Sequence, residues 1–247
     1  MNDTTVRILD PRTPEERDRD FLPGMGKPWL MPLYDVYSRI ARTRPLHDRA
    51  AALADVAPGE TVLDVGCGTG NLSLAMLRAQ PAARVTGLDP DVGALRTAAR
   101  KARRRRVPLT LVQGFADRLP TEDGSLDHVV SALALHHVPD EGRVLFARDA
   151  FRALRPGGRV TIADFGGPDG GRRYGRDDGH GHGRGHGRGH AEAHRGHAAV
   201  AADPHAARNL DGGLVHLLAD AGFTDAREVD RVEHRFGPIT FVQATRG

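Results

Sequence analysis

The sequence is short of cysteine, of lysine and of long apolar runs. Cys67 is the only cysteine among 247 residues. A single thiol excludes an internal disulfide and any mechanism that needs a cysteine pair, and it fits a reducing compartment. No apolar stretch approaches the roughly 20 residues of a membrane span. The start, MNDTTVRILDPRTPEERDRD, is charged throughout and has no apolar signal core. These absences lead us to expect a cytoplasmic protein that does not enter a membrane. Lys27 and Lys101 are the only lysines, so nearly all positive charge is arginine, and the net charge of +3 is mild for this length. The length suffices for one α/β domain with a large core.

What the sequence does contain is organised around Thr61 to Leu74, TVLDVGCGTGNLSL. Thr61, Val62, Leu63 and Val65 form the β-branched and apolar run of a buried strand. Gly66, Gly68 and Gly70 then let the backbone turn tightly and present bare N–H groups, and Asn71 to Leu77 reads as the start of a helix. Strand, glycine turn and helix make a cradle for a nucleotide-like ligand at the carboxyl end of a first strand. Arg84 to Asp89 reads as a second strand ending in an acid. Asp89 follows Gly70 by 19 residues, close to the ~20 expected for a carboxylate that accepts hydrogen bonds from ribose hydroxyls. The ligand implied is an adenosine. The dinucleotide fingerprint G-x-G-x-x-G is incomplete, because Asn71 or Ser73 stands where the third glycine belongs. Asp64, two residues before the turn, would repel a pyrophosphate but favour an ammonium or sulfonium.

The order VLDVGCGTG, GLDP, LRPGGRV resembles the class I S-adenosylmethionine-dependent methyltransferases, in particular the small-molecule branch that includes quinone methyltransferases. The resemblance covers Tyr34 to Asp164 well and Asp211 to Arg246 more loosely. It implies a doubly wound α/β fold of Rossmann-like type, with a mostly parallel seven-stranded sheet whose last strand is antiparallel. It also implies S-adenosylmethionine held by Asp64, Gly66, Gly68, Gly70, Asp89 and Pro90, with Phe115, Ala116 and Ser131 further along. In the family an acid usually precedes the alanine of the adenine loop; Phe115 stands there instead and is expected to pack on the adenine face, while Ala116 offers its N–H to a ring nitrogen. Asp117 is the nearest acid.

Leu109 to Gln113 and Leu126 to Leu135 read as further strands. The segment from Ser131 to Val138 crosses a strand's carboxyl end, where ligands bind in this architecture. His136 and His137 are the candidates for a general base that takes the acceptor's proton; packing or a loop hydrogen bond is the competing role. Asp140 to Leu154 is an amphipathic helix. The turn Arg155 to Arg159 leads into a strand over Val160 to Phe165, with Asp164 near its end.

The arginine-rich stretch from Arg100 to Arg106 reads as a solvated helix end whose cations suit the C-terminal dipole. No aromatics accompany it, and no Asn/Asp-Pro-Pro-aromatic run exists, so a nucleic-acid partner is not expected. Residues 1–28 read as a loose arm, residues 29–165 and 209–247 as the folded domain, and residues 166–208 as a low-complexity insertion rich in Gly, Arg and His. Within it His190, His194 and His197 have the spacing to hold a divalent metal. The function expected is methyl transfer to a small-molecule acceptor. An NAD(P)-dependent oxidoreductase and a metal-binding protein built on the insertion are the alternatives.

Overall fold

A computed structural model describes residues 5–21, 43–166, 208–235 and 237–247. The insertion with His190, His194 and His197 lies outside these. Among the described residues no helix is long and apolar enough to cross a membrane, and no cluster of His, Cys, Asp or Glu is arranged to hold a metal.

The strands are β1 (Val6–Leu9), β2 (Thr61–Val65), β3 (Arg84–Asp89), β4 (Leu109–Gln113), β5 (Leu126–Ala132), β6 (Leu154–Phe165), β7 (Thr224–His234) and β8 (Gly237–Thr245). They form one sheet in the order β1-β4-β3-β2-β5-β6-β8-β7. All pairings from β1 to β6 are parallel, while β8 runs antiparallel to both β6 and β7. The last strand is therefore antiparallel, as expected, and β8 lies between β6 and β7.

The helices are α1 (Pro14–Arg17), α2 (Arg44–Ala54), α3 (Asn71–Ala79), α4 (Val92–Arg105), α5 (Asp140–Ala153) and α6 (Gly213–Asp220). Period-two alternation in β2 explains why both faces of the sheet are covered. Val62 packs into one apolar cluster with α2, α3 and α4. Leu63 and Val65 point the other way, into a second cluster with α5 and α6. The two layers bury both faces of a parallel sheet, as such sheets require. Helix α4 approaches closely because its inner face is small: Ala94, Ala98, Ala99 and Ala102 are fully buried.

Three expectations are corrected. The sheet has eight strands, because Val6–Leu9 adds to the edge beside β4 with Val6 opposite Leu109 and Leu9 opposite Val112. Residues 5–21 are accordingly not a loose arm. Alternation in V-R-I-L turns Val6 and Ile8 toward the core, and Thr13 with Glu16 makes a capping box behind Pro14 that starts α1. The fourth expected strand, read as reaching Leu135, stops at Ala132: Leu133 takes a left-handed backbone, φ 55°, and Leu135–His137 forms a 3-10 turn.

Strand order reverses at β2, which lies between β3 and β5. Such a reversal opens a crevice at the carboxyl ends of the strands, and the chain's glycine turn falls there.

Candidate cofactor and acceptor site

The turn after β2 is seated by its neighbours before any ligand is considered. The N–H groups of Gly66 and Cys67 both donate to Leu88 O, at 2.8 and 3.0 Å. Gly66, Gly68 and Gly70 all have positive φ, at 71°, 50° and 77°, where a side chain is strained. Their surroundings differ. A Cβ on Gly66 would lie 2.3 Å from Ala134 Cβ, and one on Gly70 would lie 2.9 Å from Ala98 Cβ, whereas one on Gly68 would meet nothing within 4 Å. Gly66 thus holds two segments together, Gly70 lets α4 close in, and Gly68 faces open space. Lys101 of α4 fixes the turn from behind: its ammonium donates to Thr69 O and Oγ1 at 2.9 Å and to Asn71 Oδ1 at 2.8 Å.

Asp89 ends β3 against this turn. One oxygen accepts from Gly68 N–H at 2.8 Å and the other from Asp91 N–H at 2.9 Å. Burial pushes the Asp89 carboxyl up to about 6 although both hydrogen bonds favour its anion. Burial likewise pushes Asp64 up to about 7 and raises the Cys67 thiol, so Cys67 is an inert packing residue rather than a nucleophile.

A cavity of about 370 Å³ opens beside the turn, within the usual size for a small-ligand site. Gly66, Gly68, Asp89, Pro90, Phe115 and Ala116 line it, as the sequence suggested, and so does His137. Four expected residues do not. Asp64 shares a strand face with Val62 and points to α3, where Ser73 Oγ donates to its Oδ2 at 2.5 Å; its Oδ1 is buried without a partner. Gly70 is covered by Ala98. Ser131 lies inside the sheet, 1% exposed. His136 turns away from the cavity to Asp164.

The His136–Asp164 pair is a structural tie. His136 Nδ1 lies 2.6 Å from Asp164 Oδ1, and the His136 backbone N–H donates to Asp164 Oδ2 at 3.0 Å. Burial alone would raise the Asp164 carboxyl, but the charge of His136 and hydrogen bonds from His136 and Phe165 outweigh it and hold the acid below its usual range. Phe165 packs edge-on to His136 at 4.9 Å, and the His137 ring lies 4.0 Å away on another side. Consecutive residues of a 3-10 turn diverge in direction, which sends His136 inward and His137 to the cavity. Replacing His136 by phenylalanine leaves a buried carboxylate without its main partner. We expect a loss of about 3 kcal/mol in denaturant unfolding at pH 7, and a smaller loss below pH 4, where Asp164 protonates in the unfolded chain and its pairing ceases to stabilise the fold.

Sequence reading missed the contribution of the amino-terminal segment. Arg19, Asp20 and Phe21 line the cavity, Arg19 lies 4.4 Å above the Phe115 ring, and its guanidinium pairs with Asp117 Oδ2 at 2.5 Å. These partners are 98 positions apart, so no local pattern announces them. Leu133, Leu135, Val138 and Pro139 add an apolar wall on the other side.

A reversed strand order, a glycine turn and an acid at the end of the next strand define a Rossmann-like cofactor-binding domain. Residues 62–158 match the model of a family described as a methyltransferase domain. The chain is 37% identical over 125 residues to 27-O-demethylrifamycin SV methyltransferase of Amycolatopsis mediterranei, covering 50% of this chain and 45% of that one. It is 36% identical over 119 residues to demethylmenaquinone methyltransferase of Listeria welshimeri, covering 47% and 50%. The match thus spans about half the length of these relatives. A solved structure described as a SAM-dependent methyltransferase from Aquifex aeolicus aligns with a TM-score of 0.60 at 18% identity over 90% of this chain and 99% of that one, a likeness of fold. Over residues 62–158 the chain is therefore similar to methyltransferase domains, on a fold that S-adenosylmethionine-dependent methyltransferases share.

Proposed function

We propose that this protein transfers a methyl group from S-adenosylmethionine to a small-molecule acceptor, with His137 taking the acceptor's proton. The observation that carries the reading is the charge of the cavity. Among its described lining residues the only cation is Arg19, and that guanidinium is committed to Asp117. No described lining side chain suits the two phosphates of a dinucleotide, whereas a cationic adenosyl cofactor suits a cavity with half-buried Asp89 on its wall and the Asp64 carboxyl behind the turn.

The residues fit the cofactor piece by piece. Gly68 leaves room for it, since even a Cβ there would touch nothing. Asp89 accepts from the ribose hydroxyls, and Phe115 and Ala116 border the adenine. When bound, the sulfonium supplies an already activated methyl group, so the protein's tasks are alignment and exclusion of water. Leu133, Leu135, Val138 and Pro139 form the dry wall against which an acceptor is held. An acceptor X–H must lose its proton as the X–C bond forms. His137 is the histidine on the cavity wall, and a neutral imidazole accepts that proton near pH 7.

His137→Gln is expected to slow turnover about a hundredfold and to leave cofactor affinity within about twofold. The measurement is release of S-adenosylhomocysteine beside a calorimetric titration, with acceptors drawn from phenols, hydroquinones and amines. Equal loss of turnover and cofactor affinity would remove His137 from the proton step.

A further inference from the structure

We propose that Asp20 reads the adenine: its carboxylate accepts the hydrogen bond of the base's exocyclic amino group, with Arg19 locking the adjoining loop. This rests on the reading of the cavity as an S-adenosylmethionine site. An exocyclic amino group needs an acceptor, and among the described residues the cavity offers four acids: Asp20, Asp89, Asp91 and Asp117. Three have other work. Asp89 holds the glycine turn and faces the ribose. Asp91 caps α4, accepting from Gly93 and Ala94 N–H at 2.7 and 3.1 Å. Asp117 is neutralised by Arg19. Asp20 is exposed and shows no partner among the described residues, so its carboxylate is the acceptor left for a ligand.

The position is set by a strap. Strand β1 zips onto β4 in parallel register, and the segment then runs beside the loop after β4. Arg118 reaches Glu16 Oε1 at 2.6 Å and Pro11 O at 3.3 Å, which ties α1 to that loop. Arg19 finishes the crossing with its guanidinium over Phe115 and its ion pair to Asp117. Asp20, the next residue, is thereby delivered to the cavity wall. The loop after β4 presents Phe115 to the cavity, and the strap adds the acid from elsewhere in the chain.

The test compares two probes, S-adenosylhomocysteine and S-inosylhomocysteine, by calorimetry on the full chain. They differ along one edge of the base: the first has an amino donor at C6 beside an acceptor N1, and the second a carbonyl oxygen at C6 beside an N1–H. The wild type is expected to prefer the adenosyl compound by about tenfold or more, since a carboxylate accepts from the amine and repels the carbonyl. Asp20→Asn can donate to that carbonyl, so the preference should fall to near unity or invert. Arg19→Gln should weaken both probes alike, because it loosens the loop and not the recognition. Asp20 is exposed, so its substitution should leave the melting temperature unchanged. Full discrimination retained in Asp20→Asn would overturn the assignment while leaving the cofactor reading intact. A wild type that binds neither probe would overturn both.

Discussion

Replacing Asp89 by asparagine is expected to weaken S-adenosylmethionine binding at least tenfold and to flatten its dependence on pH. The carboxylate ends β3 beside the glycine turn and is already aligned by two backbone donors, Gly68 and Asp91. A hydrogen bond from a ribose hydroxyl to such an anion is worth roughly 1.5–3 kcal/mol, and tenfold in affinity is about 1.4 kcal/mol. Burial holds this acid at about 6 before the cofactor arrives. The hydroxyls donate to the anion, so binding favours the ionised form and releases a proton. Affinity should therefore be full above pH 7 and fall about tenfold per pH unit once the pH drops below 6. Asparagine cannot titrate, and its affinity should be low and nearly level across the same range. Calorimetry from pH 5 to pH 8 measures both effects, and an unchanged affinity or an unchanged pH profile would remove Asp89 from the site.

Gly66→Ala should cost both the fold and the cofactor, while Gly68→Ala should cost the cofactor alone. Both residues sit at positive φ, where a side chain costs about 1–2 kcal/mol. At Gly66 the added carbon would also stand 2.3 Å from Ala134 Cβ, so the segment after β5 must shift, and the cavity wall shifts with it. A marked drop in melting temperature and an affinity loss beyond about a hundredfold, near 2.7 kcal/mol, are expected. At Gly68 the carbon would enter empty space. Its effect on melting should be limited to the backbone strain, but it takes room on the cofactor's side of the turn. Matching melting temperatures and affinities for the two variants would contradict this division of roles.

Much of this site was legible because its signals are local. A strand, three glycines and a helix are contiguous, and the acid at the end of β3 lies within one βαβ unit, so spacing marked Gly66, Gly68 and Asp89, and the family resemblance marked Pro90, all of which line the cavity. Phe115 and Ala116, named through the same resemblance, line it too. Asp64 shows where contiguity misleads: the same alternation that buries Val62 beneath α3 carries Asp64 there too, to Ser73, and a strand's parity decides this more firmly than nearness to the turn. The two histidines could not be separated by sequence, because a 3-10 turn decides which of them faces inward. The eighth strand was visible only as V-R-I-L, four residues among charges, too short to outweigh the polar composition around it. The strap's contacts, Arg19 to Asp117 and Arg118 to Glu16, join positions about a hundred apart, and only the folded sheet brings them together.

The central claim is that the cavity beside the glycine turn takes an adenosine bearing a cationic sulfur and no phosphates. Parallel titration of the full chain with S-adenosylmethionine and NADH at pH 7.5 tests it most directly. Saturable binding of the first and none of the second is the expected result. Saturable binding of NADH with no heat from S-adenosylmethionine would contradict it.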